Sequence, residues 1–287
     1  MRRLLPLILA TCVALVAQTT RNAYVLPGDT IIPRIDTGQT GTAAGGTPLG
    51  TFMTFQLINL SAGPASIQMS FVGTDGNPLP LNFELCDNDL AAGEQGTCFS
   101  ALGNDGLPTD QNAISNGTFL LDTLPVGGVS FARTFINGAR TFGYAKILSQ
   151  PAGAIAVSAN FNQQEAKPDG TLRELFTASV PLSTSVQEKF FVPALNAGST
   201  ATLAVVSVAG GMVNFRALNS NGAELCTTNR NTTVGEALAV VIAANDFLPC
   251  TANRETVVEV TGQALAGVGY TFLGEAFSTQ PVYGPVP

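Results

Sequence analysis

The 287-residue sequence predicts an all-β protein, two tandem antiparallel β-sandwiches following an N-terminal signal peptide. Through most of the chain apolar and polar residues alternate with period two, the spacing of strands that have one buried and one wet face. Clusters rich in Gly, Pro, Asn and Asp punctuate these runs at Thr74-Asp75-Gly76-Asn77, Gln150-Pro151-Ala152-Gly153 and Asn219-Ser220-Asn221-Gly222. The second half also matches the first. Ile32-Pro33 corresponds to Val192-Pro193, Ile67 to Phe71 corresponds to Val213 to Ala217, and Lys146-Ile147 with Gln150 corresponds to Glu259-Val260 with Gln263.

The spacing between matched positions falls from 160 to 146 to 113, so the first half carries two insertions. One lies between Pro33 and Ile67, where Thr37 to Gly50 is rich in Gly and Thr. The other lies between Leu79 and Lys146 and includes much of Cys86 to Gly117. A repeat of about 100 residues is too long for a solenoid unit and suits a domain with its own core.

At the N-terminus, Arg2-Arg3, the apolar run Leu4 to Ala17 and the polar Gln18-Thr19-Thr20 read as a secretory signal. The run is short for a spanning helix. Cleavage is expected after Ala17 or Ala14, leaving no membrane segment and a secreted or cell-envelope protein, in the periplasm or on the cell surface. Residues 18–28 form an arm, 29–182 the first sandwich with its long insertion, 183–188 a short polar linker, and 189–287 the second sandwich.

Within the first sandwich, Ile67, Met69 and Phe71 alternate with Ser66, Gln68 and Ser70, giving a strand with a clean apolar face. Val129, Phe131 and Arg133 continue this alternation less cleanly. Ile155, Val157, Ala159 and Phe161 share one face, and Val268, Tyr270 and Phe272 share the corresponding face in the second half. Helical pattern is scarce. Over Gly235 to Phe247 the β-branched Val240-Val241-Ile242 predicts a strand that runs into one helical turn at Ala243 to Phe247. Too few helices remain for a parallel βαβ architecture.

Apart from Cys12 there are four cysteines, and an even count in an exported chain favours disulfides. Three connectivities exist. Pairing within each sandwich, Cys86 with Cys98 and Cys226 with Cys250, closes loops of 12 and 24 residues and keeps the two units independent. Neither pair has the CxxC spacing of a zinc site, and the chain has no histidine.

The Ile/Val-Pro start, Leu57-Ile58-Asn59-Leu60-Ser61, the Pro64-Ala65-Ser66-Ile67 strand and Asp75-Gly76-Asn77-Pro78-Leu79 resemble the tandem Ig-like β-sandwich repeats of exported bacterial proteins. Ser149-Gln150-Pro151 before a hydrophobic strand fits the same pattern. These are turn and core positions spread over most of the mature chain. The resemblance implies an Ig-like fold and brings no catalytic residues with it.

The chemistry is correspondingly sparse. Without histidine there is no Ser/His/Asp or Cys/His nucleophile. Only Lys146, Lys167 and Lys189 are available for Ser-Lys chemistry, and no SxxK motif occurs. Asp87 and Asp89 form the nearest carboxylate pair, but in a polar loop. Calcium is the more fitting ion, because Asp87, Asp89, Glu94, Asp105 and Asp110 gather hard oxygen donors in the insertion of the first sandwich. No resident cofactor is expected. With Arg2 and Arg3 removed, 11 basic residues face 20 acidic ones, a net charge of −9, which argues against nucleic acid as a partner. The expected role is non-enzymatic: a structural or interaction protein meeting another protein or a glycan at the cell surface. The alternative is a carbohydrate- or ligand-binding protein that uses the loop insertion.

Overall fold

The computed structural model describes residues 30–42, 46–79, 81, 83–86, 98–100, 118–134, 139–166, 172–273 and 276–284. These fold into two antiparallel β-sandwiches, one from a ten-stranded sheet and one from a seven-stranded sheet. The expected signal and arm, residues 1–28, lie outside the described residues, as do Asp87, Asp89, Glu94, Asp105 and Asp110 of the expected calcium loop.

In the first sandwich, β1 (Thr30–Thr42), β3 (Ala65–Gly73), β6 (Thr118–Leu124) and β8 (Thr141–Gln150) form one layer in the order β1-β8-β3-β6. The facing layer is β5-β4-β7-β2-β9-β10. It comprises β2 (Pro48–Asn59), β4 (Phe83–Cys86), β5 (Cys98–Ser100), β7 (Val129–Thr134), β9 (Ile155–Ala166) and β10 (Leu172–Ser179). Strand β1 serves both layers, pairing with β8 over Thr30 to Thr37 and with β2 from Gly38 onward. Gly38 makes the corner. Its φ is +111°, and a Cβ there would sit 2.5 Å from the Ala139 carbonyl oxygen. The Gly/Thr-rich run is therefore mostly strand, a hairpin carrying the chain from one layer to the other.

Alternation fills the space between the layers. Ile67, Met69 and Phe71 of β3 meet Met53, Phe55 and Leu57 of β2 in the core, where the Phe55 and Phe71 rings lie 6.1 Å apart. Ile155, Ala159 and Phe161 join them, with Val157 at the margin. Strand β7 departs from expectation: Ser130, Ala132 and Thr134 are buried, while Val129 is exposed. The period of two is right and the face is reversed. Hydrogen bonding explains the reversal, because the Thr134 hydroxyl accepts from the Met53 backbone N–H at 2.9 Å and donates to Thr37 Oγ1 at 2.9 Å. A satisfied threonine is tolerated inside.

The second sandwich contains β11 (Gln187–Leu195), β12 (Thr200–Ser207), β13 (Gly211–Leu218), β14 (Glu224–Thr232), β15 (Glu236–Val241), β16 (Glu255–Leu273) and β17 (Ala276–Gln280). The 19-residue β16 bends between Gly262 and Ala264, where Ala264 adopts a φ of +51°. Before the bend it pairs with β11 and β13; beyond it, with β12 and β17. The layers are thus β14-β13-β16-β11 and β15-β12-β16-β17. They approach closely at Gly267 and Gly269, against which the Phe190 ring and Val192 pack. The helical turn expected at Ala243 to Phe247 is instead a pair of hydrogen-bonded turns, followed by a 3-10 turn at Pro249–Thr251. Proline supplies the fixed φ that starts it.

The pairings of the two sandwiches correspond. β11, β12, β13, β14 and β15 pair as β1, β2, β3, β6 and β7 do, except that the β1–β2 pairing is not repeated between β11 and β12; the halves of β16 stand where β8 and β9 stand, and β17 where β10 stands. Register corresponds as well: Ile31 lies opposite Lys146 and Lys146 opposite Ser70, as Phe191 lies opposite Glu259 and Glu259 opposite Arg216. Among the described residues the β4–β5 pair has no counterpart in the second sandwich.

Candidate functional site between the sandwiches

One layer of each sandwich carries an apolar patch on its outer face, and these two patches dock. On β1, β3 and β8 the residues adjacent to the core positions, Ile31, Val72 and Tyr144, point away from the first core toward the second sandwich. There they meet Val206 of β12, Ala237 of β15 and Ala266 of β16. The result is a small apolar core between the two sandwiches. Backbone hydrogen bonds add to it. Ser183 in the linker exchanges two with Ile31, at 2.8 and 2.9 Å, and the Ala237 N–H donates to the Thr74 carbonyl at 3.1 Å.

Val268, Tyr270 and Phe272 do share one face of a strand, as the sequence predicts. That face belongs to the junction rather than to the second core, whose residues on β16 are Val258, Val260 and Leu265.

Beside this junction lies a cavity of about 500 Å³, walled by both sandwiches. The first contributes Arg34 and Asp36 from β1, Arg140 and Phe142. The second contributes Tyr270, Phe272 and the run Ala237 to Val241 along β15. Asp36 is 3% exposed and anchors the polar end. It accepts from Arg140 Nε at 2.9 Å and Nη2 at 2.8 Å, from Arg34 Nη2 at 3.0 Å and from Thr51 Oγ1 at 3.3 Å. Both guanidinium groups also lie over the Phe142 ring, at 4.5 and 4.6 Å from its centroid. Burial drives the Tyr270 hydroxyl far above the ordinary tyrosine range; Arg34 opposes that shift and Asp36 reinforces it. Burial raises Tyr144 as well.

A second buried carboxylate lies on the outer face of the second sandwich. Glu259 pairs with Lys189 and Arg216, each at 2.7 Å, with both cations well exposed.

Of the residues singled out in the sequence, Cys226 and Cys250 form a disulfide joining β14 to the Pro249–Thr251 turn. Cys86 and Cys98 are backbone partners across β4 and β5. Among the described residues no group of three His, Cys, Asp or Glu side chains is placed to hold a metal ion, and no helix is long and apolar enough to cross a membrane. Arg34, Asp36, Arg140 and Tyr270 did not stand out in the sequence. The available signal was Asp36 itself, a carboxylate next to Ile35 in a strand that otherwise reads as core and therefore in need of a buried partner.

No protein-family profile matches the chain, and no curated protein matches it. Among solved structures, procruciferin, an 11S globulin from Brassica napus, is similar at 8% identity and a TM-score of 0.21, over 83% of this chain and 78% of that one.

Proposed function

We propose that the chain is an exported, non-enzymatic structural or surface-interaction protein made of two Ig-like sandwiches derived from one duplicated unit. The observation that carries this reading is the docking of the two sandwiches through a shared apolar junction, which sets the outer faces of one against those of the other. A stiff scaffold with long loops is the usual arrangement of a recognition module. The matching register of the two three-strand sets supports duplication. The Cys226–Cys250 disulfide is compatible with an oxidising compartment, and the missing histidine removes the commonest nucleophilic and zinc chemistries.

Cell fractionation combined with thiol alkylation, followed by surface crosslinking, tests the reading. The expected result is chain in the envelope or medium, Cys226 and Cys250 protected from alkylation, and a protein or glycan partner captured. Chain confined to the cytoplasm with both thiols reactive would refute export.

A second reading places ligand binding in the insertion of the first sandwich. It is favoured by the β4–β5 pair, which extends the edge beyond β7 and has no counterpart among the described residues of the second sandwich. Shortening residues 101–117 to a tight turn should then abolish binding in a glycan screen while the melting transition stays in place. Unchanged binding would rule the insertion out.

A further inference from the structure

We infer that the cavity between the sandwiches is a binding site for a small organic monocarboxylate with an apolar body, a site independent of the surface-interaction reading above. Three observations converge on that class. The first is charge. Arg34, Asp36 and Arg140 are the charged residues lining the cavity, and two guanidinium groups against one carboxylate leave a single positive charge to be balanced. A singly charged anion neutralises it, whereas a cation or a dianion leaves the site unbalanced in a low-dielectric wall.

The second is donor geometry. Asp36 takes one hydrogen bond from Arg34, through Nη2, and two from Arg140, through Nε and Nη2. Each guanidinium has five N–H groups in a planar fork, and among the described residues Asp36 takes none from Nη1 of either residue or from Nε of Arg34, which leaves these for a second carboxylate. Thr51 and the Phe142 ring hold this assembly before any ligand arrives. A site organised in advance loses little ordering free energy on binding.

The third is the remainder of the wall. Phe142, Tyr270 and Phe272 with Ala237, Ala239 and Val241, which share one face of β15, make it largely aromatic and aliphatic. A volume of about 500 Å³ falls within the ordinary range for small-molecule sites, which favour domain junctions. Because the polar end comes from the first sandwich and much of the apolar wall from the second, an occupant would touch both and tighten the junction.

Calorimetric titration of the full mature chain with 4-phenylbutyrate, its neutral amide and 4-phenylbutylamine tests the inference. The carboxylate is expected to bind at least about tenfold more tightly than the amide, the margin of one charge-assisted hydrogen-bond set, and the amine not at all. Arg140→Gln should bring carboxylate binding down to the level of the amide. Ala239→Trp, at an exposed position on edge strand β15 that lines the cavity, should block carboxylate and amide alike, and it leaves the Arg–Asp cluster untouched should Arg140→Gln fail to fold. Equal affinity for carboxylate and amide, no binding of the carboxylate, or unchanged binding in a folded Arg140→Gln or Ala239→Trp protein would each overturn the assignment.

Discussion

Arg140 reaches Asp36 across 104 residues of sequence and grips it with both ends of its guanidinium fork, Nε on Oδ1 at 2.9 Å and Nη2 on Oδ2 at 2.8 Å. A carboxylate only 3% exposed is stable there because its charge is matched and its oxygens are hydrogen-bonded. The same chain carries a control in Glu259, which also has two cations but lies on an outer face.

Substitution should separate the two carboxylates. Asp36→Ala leaves two guanidinium groups repelling each other beside a buried wall and is expected to destabilise by about 3 kcal/mol. Glu259→Ala also strips a buried carboxylate from two cations, but Lys189 and Arg216 are both more exposed than Arg34 and can turn into water, so a smaller loss of about 2 kcal/mol is expected. Urea denaturation of both variants measures the difference, and equal losses would mean that burial at Asp36 adds nothing.

Gly267 is required by the approach of the two layers in the second sandwich. A Cβ there would sit 2.6 Å from Phe190 Cζ. Gly267→Ala should destabilise by about 1–3 kcal/mol through overpacking, and Phe190→Leu in the same chain should recover part of that loss. Thermal melts of the single and double variants give the coupling.

Reducing the Cys226–Cys250 bridge frees a loop of 24 residues. Chain-entropy arguments put the loss at about 3 kcal/mol. Cys226→Ser with Cys250→Ser should melt well below the oxidised protein, at the temperature of the wild-type chain with that bridge reduced.

Stability should fall in alkali. Burial raises the folded-state values of Tyr144 and Tyr270 above those of the unfolded chain, so their contribution is complete below pH about 10 and is lost as pH climbs past it. Each tyrosine locked in its neutral form removes up to about 1.4 kcal/mol per pH unit in that window. Tyr270→Phe should flatten the decline of the urea midpoint between pH 10 and 11.5; an unchanged slope would place Tyr270 in a wetter setting.

Much of the fold was legible because local pattern and final packing agree. Ile67, Met69 and Phe71 face the core as their alternation predicts, and the matched segments occupy corresponding registers. β7 misled because period two defines two faces without saying which is inside, and a hydrogen-bonded Thr134 outweighed Phe131. The cavity was illegible for another reason. Arg34 and Asp36 are two residues apart, but Arg140 and Tyr270 join them only through strand pairing and docking, which no local spacing encodes. Tyr270 shares a strand face with Val268 and Phe272 as the alternation predicts, but that face turns to the junction and not to the second core.

The junction also bears on whether either half can stand alone. Cut at the linker, residues 187–280 would keep their own core but turn Val206, Ala237, Ala266 and Val268 toward water. That contiguous greasy sheet face would bind a second copy or precipitate. The first sandwich therefore covers an apolar face of the second, and a shortened form released by proteolysis should self-associate through the face that the intact chain keeps covered.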